Sequence, residues 1–280
     1  MIGDQYLSGR VALITGGATG ICRATALAMA KAGANIVIGS LTEQVRLKKV
    51  KREGHTVVSE ADLEKTRKEI INLGVKAQAH ALNVATNESC DAIVESAINE
   101  FGKIDILVNG AGSSLSMSMI DHDDEAWHRV VDVNLNGAYR MIKRTLPGMM
   151  DREWGRIINI ASTAASIGEK TRAAYCASKS GILGLTRAVA LEGAPRGVSC
   201  NAISPGSVIT QQAINAVTLE LEMKGINQTV DQYLAESAAG TPQRRHVEAR
   251  EIASLALFLC QADAFSITGQ DLTVDGGNMW

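Results

Sequence analysis

The feature that most limits how this chain can fold is a rhythm: apolar runs of four to six residues alternate with segments of helical period along its whole length. Short buried strands separated by helices cannot pair as hairpins. They must cross over and pair in parallel. Runs near Arg10–Thr15, Asn35–Gly39, Lys76–Leu82, Ile104–Asn109, Arg156–Ala161, Ser199–Ile203 and Gln270–Val274 predict seven strands, each but the last followed by a helix. Because such crossovers are right-handed and cover both faces, the expected product is an α/β fold with one doubly wound, Rossmann-like parallel sheet. No linker or repeat interrupts the rhythm, so a single domain over residues 1–280 is expected. The presence of 26 Gly against 4 Pro suits tight strand-to-helix turns and argues against a proline-punctuated β-sandwich.

The balance of 28 basic and 30 acidic residues gives no overall bias towards nucleic acid or an anionic membrane. No apolar run approaches membrane-spanning length. At the N-terminus, Asp4 and Arg10 precede an apolar stretch that breaks at once into Gly16-Gly17, so neither a signal peptide nor an anchor is expected. The cysteines, Cys22, Cys90, Cys176, Cys200 and Cys260, are odd in number and never form a C-x-x-C pair, which points to a reduced, cytoplasmic chain. The histidines lack metal-ligand spacing, and no catalytic metal is expected.

Two stretches break the rhythm. Leu41–Glu60 exceeds an ordinary strand-to-helix connection, carries Arg46, Lys48, Lys49, Lys51 and Arg52, and reads as an insertion. Pro205–Thr241 follows the sixth strand with weak helical patterns around Gln211–Lys224 and Thr229–Ser237, and reads as a substrate lid.

Directly after the first strand comes Thr15-Gly16-Gly17-Ala18-Thr19-Gly20-Ile21-Cys22, running into helix-favouring residues. Strand, glycine turn and helix N-terminus together suit a pyrophosphate: glycine lets the backbone approach, and the helix end offers unpaired N–H groups. A plain glycine-rich turn would read the same in isolation. More specific is Tyr175-Cys176-Ala177-Ser178-Lys179, which opens a helical segment, with Ser162 at the end of the fifth strand. Tyr175 and Lys179 are one helical turn apart and share a face. A phenol titrates near pH ~10 in water, and an adjacent ammonium favours its deprotonated form. Ser162 is placed to orient a substrate oxygen. Each residue alone has an ordinary structural reading; their joint placement beside a phosphate turn favours the functional one.

The spacing T-G-x-x-x-G and the Tyr-x-x-x-Lys pair resemble the short-chain dehydrogenase/reductase family over nearly the whole chain. Asn109-Gly110-Ala111-Gly112 resembles its N-N-A-G turn, Val133–Gly137 its V-N-x-x-G segment, Pro205-Gly206-Ser207-Val208-Ile209-Thr210 its P-G-x-x-x-T turn, and Asp275-Gly276-Gly277 its C-terminal end. The resemblance implies a catalytic tetrad of Asn134, Ser162, Tyr175 and Lys179, with Asn134 holding a helix kink and a water. It implies cofactor contacts from Gly16, Ala18, Thr19, Gly20, Ile21, Ser40, Asn83, Val84, Asn109, Gly110, Ala111, Gly112, Tyr175, Lys179, Pro205, Gly206, Val208 and Thr210. It also implies hydride transfer between NADP or NAD and a small secondary alcohol or ketone, and a homotetramer assembled through helices like Asp124–Met150 and Ala173–Glu192 and the last strand.

Departures from the family pattern sharpen the expectations. Cys22 stands where the turn usually has a third glycine, and Asn83 where an Asp usually precedes Val84. The second strand ends Gly39-Ser40-Leu41 without the acid that selects NAD by repelling a 2′-phosphate, so the reading leans slightly to NADP, with Arg46–Arg52 as a candidate phosphate partner. The substrate pocket is expected among Ser113–Met117, Thr163–Gly168 and Ser207–Thr241; its polar Ser113, Ser114 and Gln211 and its apolar Leu115, Met117 and Ile167 leave substrate polarity open. A dinucleotide-binding regulator or scaffold without turnover is the alternative suggested by Cys22 and the missing acid, and the intact tetrad opposes it.

Overall fold

The computed structural model describes residues 5–46 and 56–279. Its seven strands are β1 (Val11–Thr15), β2 (Asn35–Ser40), β3 (Ala77–Ala81), β4 (Ile106–Asn109), β5 (Gly155–Ile160), β6 (Val198–Pro205) and β7 (Asp271–Val274). They form one sheet in the order β3-β2-β1-β4-β5-β6-β7, every pair parallel. The helices between them are α1 (Gly20–Lys31), α2 (Glu60–Ile71), α3 (Asn87–Phe101), α4 (Asp124–Val131), α5 (Gly137–Asp151), α6 (Ala173–Gly193), α7 (Gln211–Lys224), α8 (Val230–Ala239) and α9 (Ala249–Phe258). The expected strands therefore appear within a few residues of their sequence bounds.

Parallel strands are covered on both faces, which is why β1, β2 and β4 read as unbroken apolar runs instead of alternating ones. Successive side chains still point to opposite faces. Ala12, Ile14, Ile36 and Ile38 join Met29 of α1, Ile70 of α2 and Ile252 of α9 in one core. Val11, Leu13 and Val37 join Ile93 of α3, Met141 and Met149 of α5 and Val189 of α6 in the other. Each fully buried Ile or Leu contributes about 1.5–3 kcal/mol relative to exposure.

The strand order reverses between β1 and β4, and a crevice at such a point is where open α/β sheets bind ligands. Register brings the relevant strand ends level: Thr15 lies opposite both Gly39 and Asn109, and Asn109 opposite Asn159. The phosphate turn, the end of β2 and the turn after β4 thus start from one line.

The helical stretch expected over Asp124–Met150 is interrupted by a wider π-type turn at Asp132–Asn136. Such turns occur often at functional sites. Of the expected insertion at 41–60, residues 47–55 lie outside the described residues, and with them Lys48, Lys49, Lys51 and Arg52. The flanks come together, Thr42 bridging Val58 in parallel beyond the end of β2. Between β6 and α9 the chain forms α7 and α8; α8 carries a Thr229–Gln232 capping box and buries none of its residues.

Candidate active site

The phosphate turn is built as its glycines require. Gly16 has φ +74°, a conformation that residues with a Cβ seldom adopt, and its N–H donates to the Gly39 carbonyl at 2.7 Å. Ala18 N–H donates to the Ser40 hydroxyl at 3.0 Å, so Ser40 ties the turn to β2. Thr19 occupies the N-cap of α1, but its side chain makes no capping bond, and the first turn of α1 holds no acidic residue. The N–H groups of Gly20, Ile21 and Cys22 therefore face no side-chain cap and no repelling carboxylate, which fits an incoming pyrophosphate. Across the crevice, a Cβ on Gly20 would come within 3.0 Å of the Thr210 methyl, so the turn after β6 meets the phosphate turn directly. In that turn Val208 is buried and bridges Val247, Thr210 caps α7 by accepting from Ala213 N–H, and Gly206 packs against Asp275, leaving no room for a side chain.

Cys22 finds its explanation in Gly110. A Cβ on Gly110 would overlap the Cys22 sulfur, so the thiol fills space that a glycine in the turn after β4 leaves open. Burial pushes the Cys22 thiol up to about 12 against a weaker opposing pull from Lys179, and it packs as a small neutral group. Thr15 supports the same turn: its hydroxyl accepts from the N–H groups of Gly110 at 3.0 Å and Ala111 at 3.1 Å. This role of Thr15 was missed in the sequence, although its place at the end of β1 was the available signal.

The residues of the expected tetrad come from three segments: the π-type turn, the turn after β5 and α6. Lys179 is buried, and its ammonium donates to the Ile160 carbonyl at 2.7 Å and lies 5.7 Å from the Tyr175 ring centroid. No carboxylate pairs with Lys179 among the described residues, so its charge is available to an anionic oxygen nearby. Asn134 sits in the π-type turn, where its Oδ1 accepts from Ser113 N–H at 2.7 Å while Nδ2 donates to the Ser113 carbonyl at 3.0 Å and the Ser178 hydroxyl at 2.9 Å. Asn134 thereby ties the loop after β4 to α6. An ideal Cβ on Gly112 would lie 3.4 Å from Asn134 Oδ1 and 3.8 Å from Lys179 Nζ, which places Gly112 between them. Ser162 caps the short turn at Thr163–Ala165, accepting from Ala164 N–H at 3.2 Å, and that turn is held to α6 by the Ser180 hydroxyl on the Ala165 carbonyl. The Ser113 hydroxyl is buried without a partner beside Asn134.

Asn134→Ala would strip partners from two buried groups of Ser113. The expected cost is about 1–3 kcal/mol per orphaned group, read as a lower urea midpoint. Turnover is expected to fall more than stability, because α6 loses its tie to the loop.

Other expected cofactor residues make contacts within the protein. Asn83 donates its amide to the Val45 carbonyl at 3.1 Å and accepts from Ala85 N–H, and Val84 is buried against Gly137. Asn109 turns its amide into the sheet towards Asn159 Oδ1 at 2.9 Å, and Asn159 continues to the Thr186 hydroxyl. Arg172, which the sequence reading passed over, lies with its guanidinium carbon 4.3 Å from the Tyr175 ring centroid.

A doubly wound parallel sheet with a phosphate turn and a Tyr-Lys helix at its crevice defines an NAD(P)-dependent oxidoreductase of CH–OH or keto groups. A family model described as enoyl-(acyl carrier protein) reductase matches residues 48–278. A 3-oxoacyl-[acyl-carrier-protein] reductase of Haemophilus influenzae is 34% identical over 271 residues, covering 97% of this chain and 98% of the relative. Among solved structures, a variant actinorhodin polyketide ketoreductase with NADPH superimposes at TM-score 0.86 with 31% identity, covering 96% of this chain and 97% of that one. An NAD+-bound xylitol dehydrogenase superimposes at 0.84 with 30% identity, covering 97% and 99%. The chain belongs to the short-chain dehydrogenase/reductase family.

Proposed function

We propose that Tyr175 exchanges the proton on the oxygen of a small ketone or secondary alcohol, with Lys179, Ser162 and Asn134 completing the site. The observation that carries this reading is the buried Lys179 ammonium, free of any described carboxylate, beside the Tyr175 ring. The nicotinamide cofactor supplies the hydride chemistry when bound. The protein's part is to hold its donors where charge develops on the substrate oxygen: Tyr175 gives or takes the proton, Ser162 donates a hydrogen bond, and Lys179 favours the anionic phenol oxygen. Asn134 keeps α6 and the Ser113 loop in register for that exchange. The cofactor is held by the phosphate turn and the Pro205–Thr210 turn, with α7 and α8 as the substrate lid of a single catalytic domain.

Two of the three pocket segments expose Ile167, Ile209 and Ile226, and exposed Met119 and Ile120 follow the other, Ser113–Met117. Their exposure supports a ketone with an apolar chain over a polyol. A cofactor and substrate screen tests the reading, with NADPH or NADH offered against 3-keto esters of increasing chain length and against xylitol. The expected result is keto-ester reduction with kcat/KM for NADPH above that for NADH, since β2 ends in Ser40 without an acid and the nearby Glu43 is paired with Arg46 at 2.9 Å. A tenfold preference for NADH would contradict the cofactor assignment, and binding without turnover on any alcohol or ketone would contradict the catalytic one.

The assembly proposed is a cytoplasmic homotetramer. Exposed Tyr139 on α5 and Leu191 on α6 support an interface on those helices, and the five cysteines are free, as in a reducing compartment. No helix of the described residues is long and apolar enough to cross a membrane.

A further inference from the structure

Arg172 stands three residues before Tyr175 at the N-cap of α6, a poor position for it on two counts. A cation opposes the positive end of the helix dipole, and an N-cap favours Ser, Thr, Asp or Asn, whose side chains can satisfy the first N–H groups. Arg172 makes no capping bond. The residue before it adds a third cost, because Thr171 has φ +65°, a left-handed conformation that strains a β-branched side chain by roughly 1–3 kcal/mol.

The strained turn is held by the loop after β4. Met117 N–H donates to the Thr171 carbonyl at 2.7 Å, and the Ser116 and Thr171 hydroxyls are 2.9 Å apart. The result is that the Arg172 guanidinium lies over the Tyr175 ring, with Glu169 gripping it in an ion pair. Two cations therefore bracket one phenol, Arg172 from the N-terminal side and Lys179 one helical turn on. Tyr175 also packs against an apolar cluster of Leu115, Ala126, Val130 and Ala174, which Met117 and Trp127 join.

We propose that Arg172 is a positioning residue for proton transfer: the strained turn presents its guanidinium to the face of Tyr175, where it fixes the ring and favours negative charge on the phenol oxygen. The proposal rests on the assignment of Tyr175 as the proton carrier. Other charged groups on the packed elements are committed or solvated. On α4, Glu125 pairs with Arg129 at 2.9 Å, Asp123 caps the helix, and Asp124 and His128 are exposed. Asp132 pairs with Arg140 at 2.7 Å, Lys170 is exposed, and His122 packs edge-on against Trp127. Cys176, half-buried, is the titratable neighbour of Tyr175 on α6 itself. Burial presses the Arg172 guanidinium towards neutrality, but charge on Tyr175 and Glu169 outweighs it and holds its pKa above the usual arginine value.

The test is the pH dependence of kcat for alcohol oxidation at saturating cofactor and substrate, in full-length Arg172→Met, Arg172→Lys and Glu169→Gln enzymes. Oxidation needs the deprotonated phenol, so the rising limb of the profile reports the ease of its ionisation. In Arg172→Met the limb is expected to move to higher pH by about one unit, lowering the rate near neutrality about tenfold while the alkaline plateau recovers. Arg172→Lys should keep the limb near its native place, and Glu169→Gln, which frees Arg172 from its counter-charge, should move it the opposite way and guards against a misfolded Met variant. A uniform fall of kcat at all pH values, or an unmoved limb in both Arg172→Met and Glu169→Gln, overturns the proposal. Tyr175→Phe run alongside separates the two claims: turnover retained there sinks the assignment of Tyr175, whereas an inactive Tyr175→Phe with an unmoved Arg172→Met limb sinks only the role of Arg172.

Discussion

Tyr175→Phe is expected to lower turnover by roughly 10²–10⁴-fold, the usual contribution of a positioned general acid or base. The substitution removes one oxygen and leaves the ring, which packs against the buried cluster of Leu115, Ala126, Val130 and Ala174. Neither the phosphate turn nor the turn after β6 touches that oxygen among the described hydrogen bonds, so NADPH affinity by cofactor fluorescence should stay within a few-fold. A loss of affinity matching the loss of rate would mean that the ring positions the dinucleotide instead of moving a proton. Lys179 does not offer so clean a separation, because its ammonium also holds the Ile160 carbonyl.

The second large effect concerns Cys22 and Gly110. Gly110→Ala places a Cβ on the Cys22 sulfur and within 3.2 Å of the Thr15 carbonyl, between two elements that cannot both retreat. Overpacking of this kind costs about 1–3 kcal/mol and should lower the urea midpoint accordingly. Cys22→Gly alone should also destabilise, through a cavity and through glycine in the first turn of α1, by an amount of order 1–2 kcal/mol. Combined, the two substitutions restore the small-for-large exchange, and the double variant should be more stable than the sum of the single losses by about 0.5–3 kcal/mol. Strict additivity would show that Cys22 and Gly110 are energetically independent.

That pair also shows where sequence reading stops. Cys22 was read as a departure from the third turn glycine, whereas Gly110 was read only as part of the turn that resembles N-N-A-G. Only the pairing of β1 with β4 makes them one substitution in space. The seven strands were legible because parallel strands buried on both faces appear as unbroken apolar runs bounded by glycine and polar residues. The Tyr175–Lys179 pair was legible because helical periodicity fixes which residues share a face.

The break in the long helix was not visible in that periodicity. Residues Asp124–Met150 keep their helical apolar pattern across Asp132–Asn136, and the π-type turn there carries Asn134, which bonds the distant Ser113 backbone. The family resemblance, not the pattern, placed a kink there. Arg172 was passed over for a similar reason. A cation at a helix start reads as a solvated side chain, and its place over Tyr175 depends on the left-handed Thr171 held by Met117. Asn83 and Asn109, expected at the cofactor from motif position, direct their amides to Val45 and Asn159, contacts that motif position does not reveal.

The central claim is that the phenol of Tyr175, kept anionic-ready by Lys179, meets the substrate oxygen beside the nicotinamide. A crystal structure of the dead-end complex with NADP+ and a ketone, which lacks a transferable hydride, measures this directly. The account predicts the ketone oxygen within about 2.6–3.2 Å of the Tyr175 hydroxyl. Its carbonyl carbon should lie about 3–3.5 Å from nicotinamide C4. A ketone oxygen bound to some other donor, with the Tyr175 ring turned out of the crevice, would contradict it.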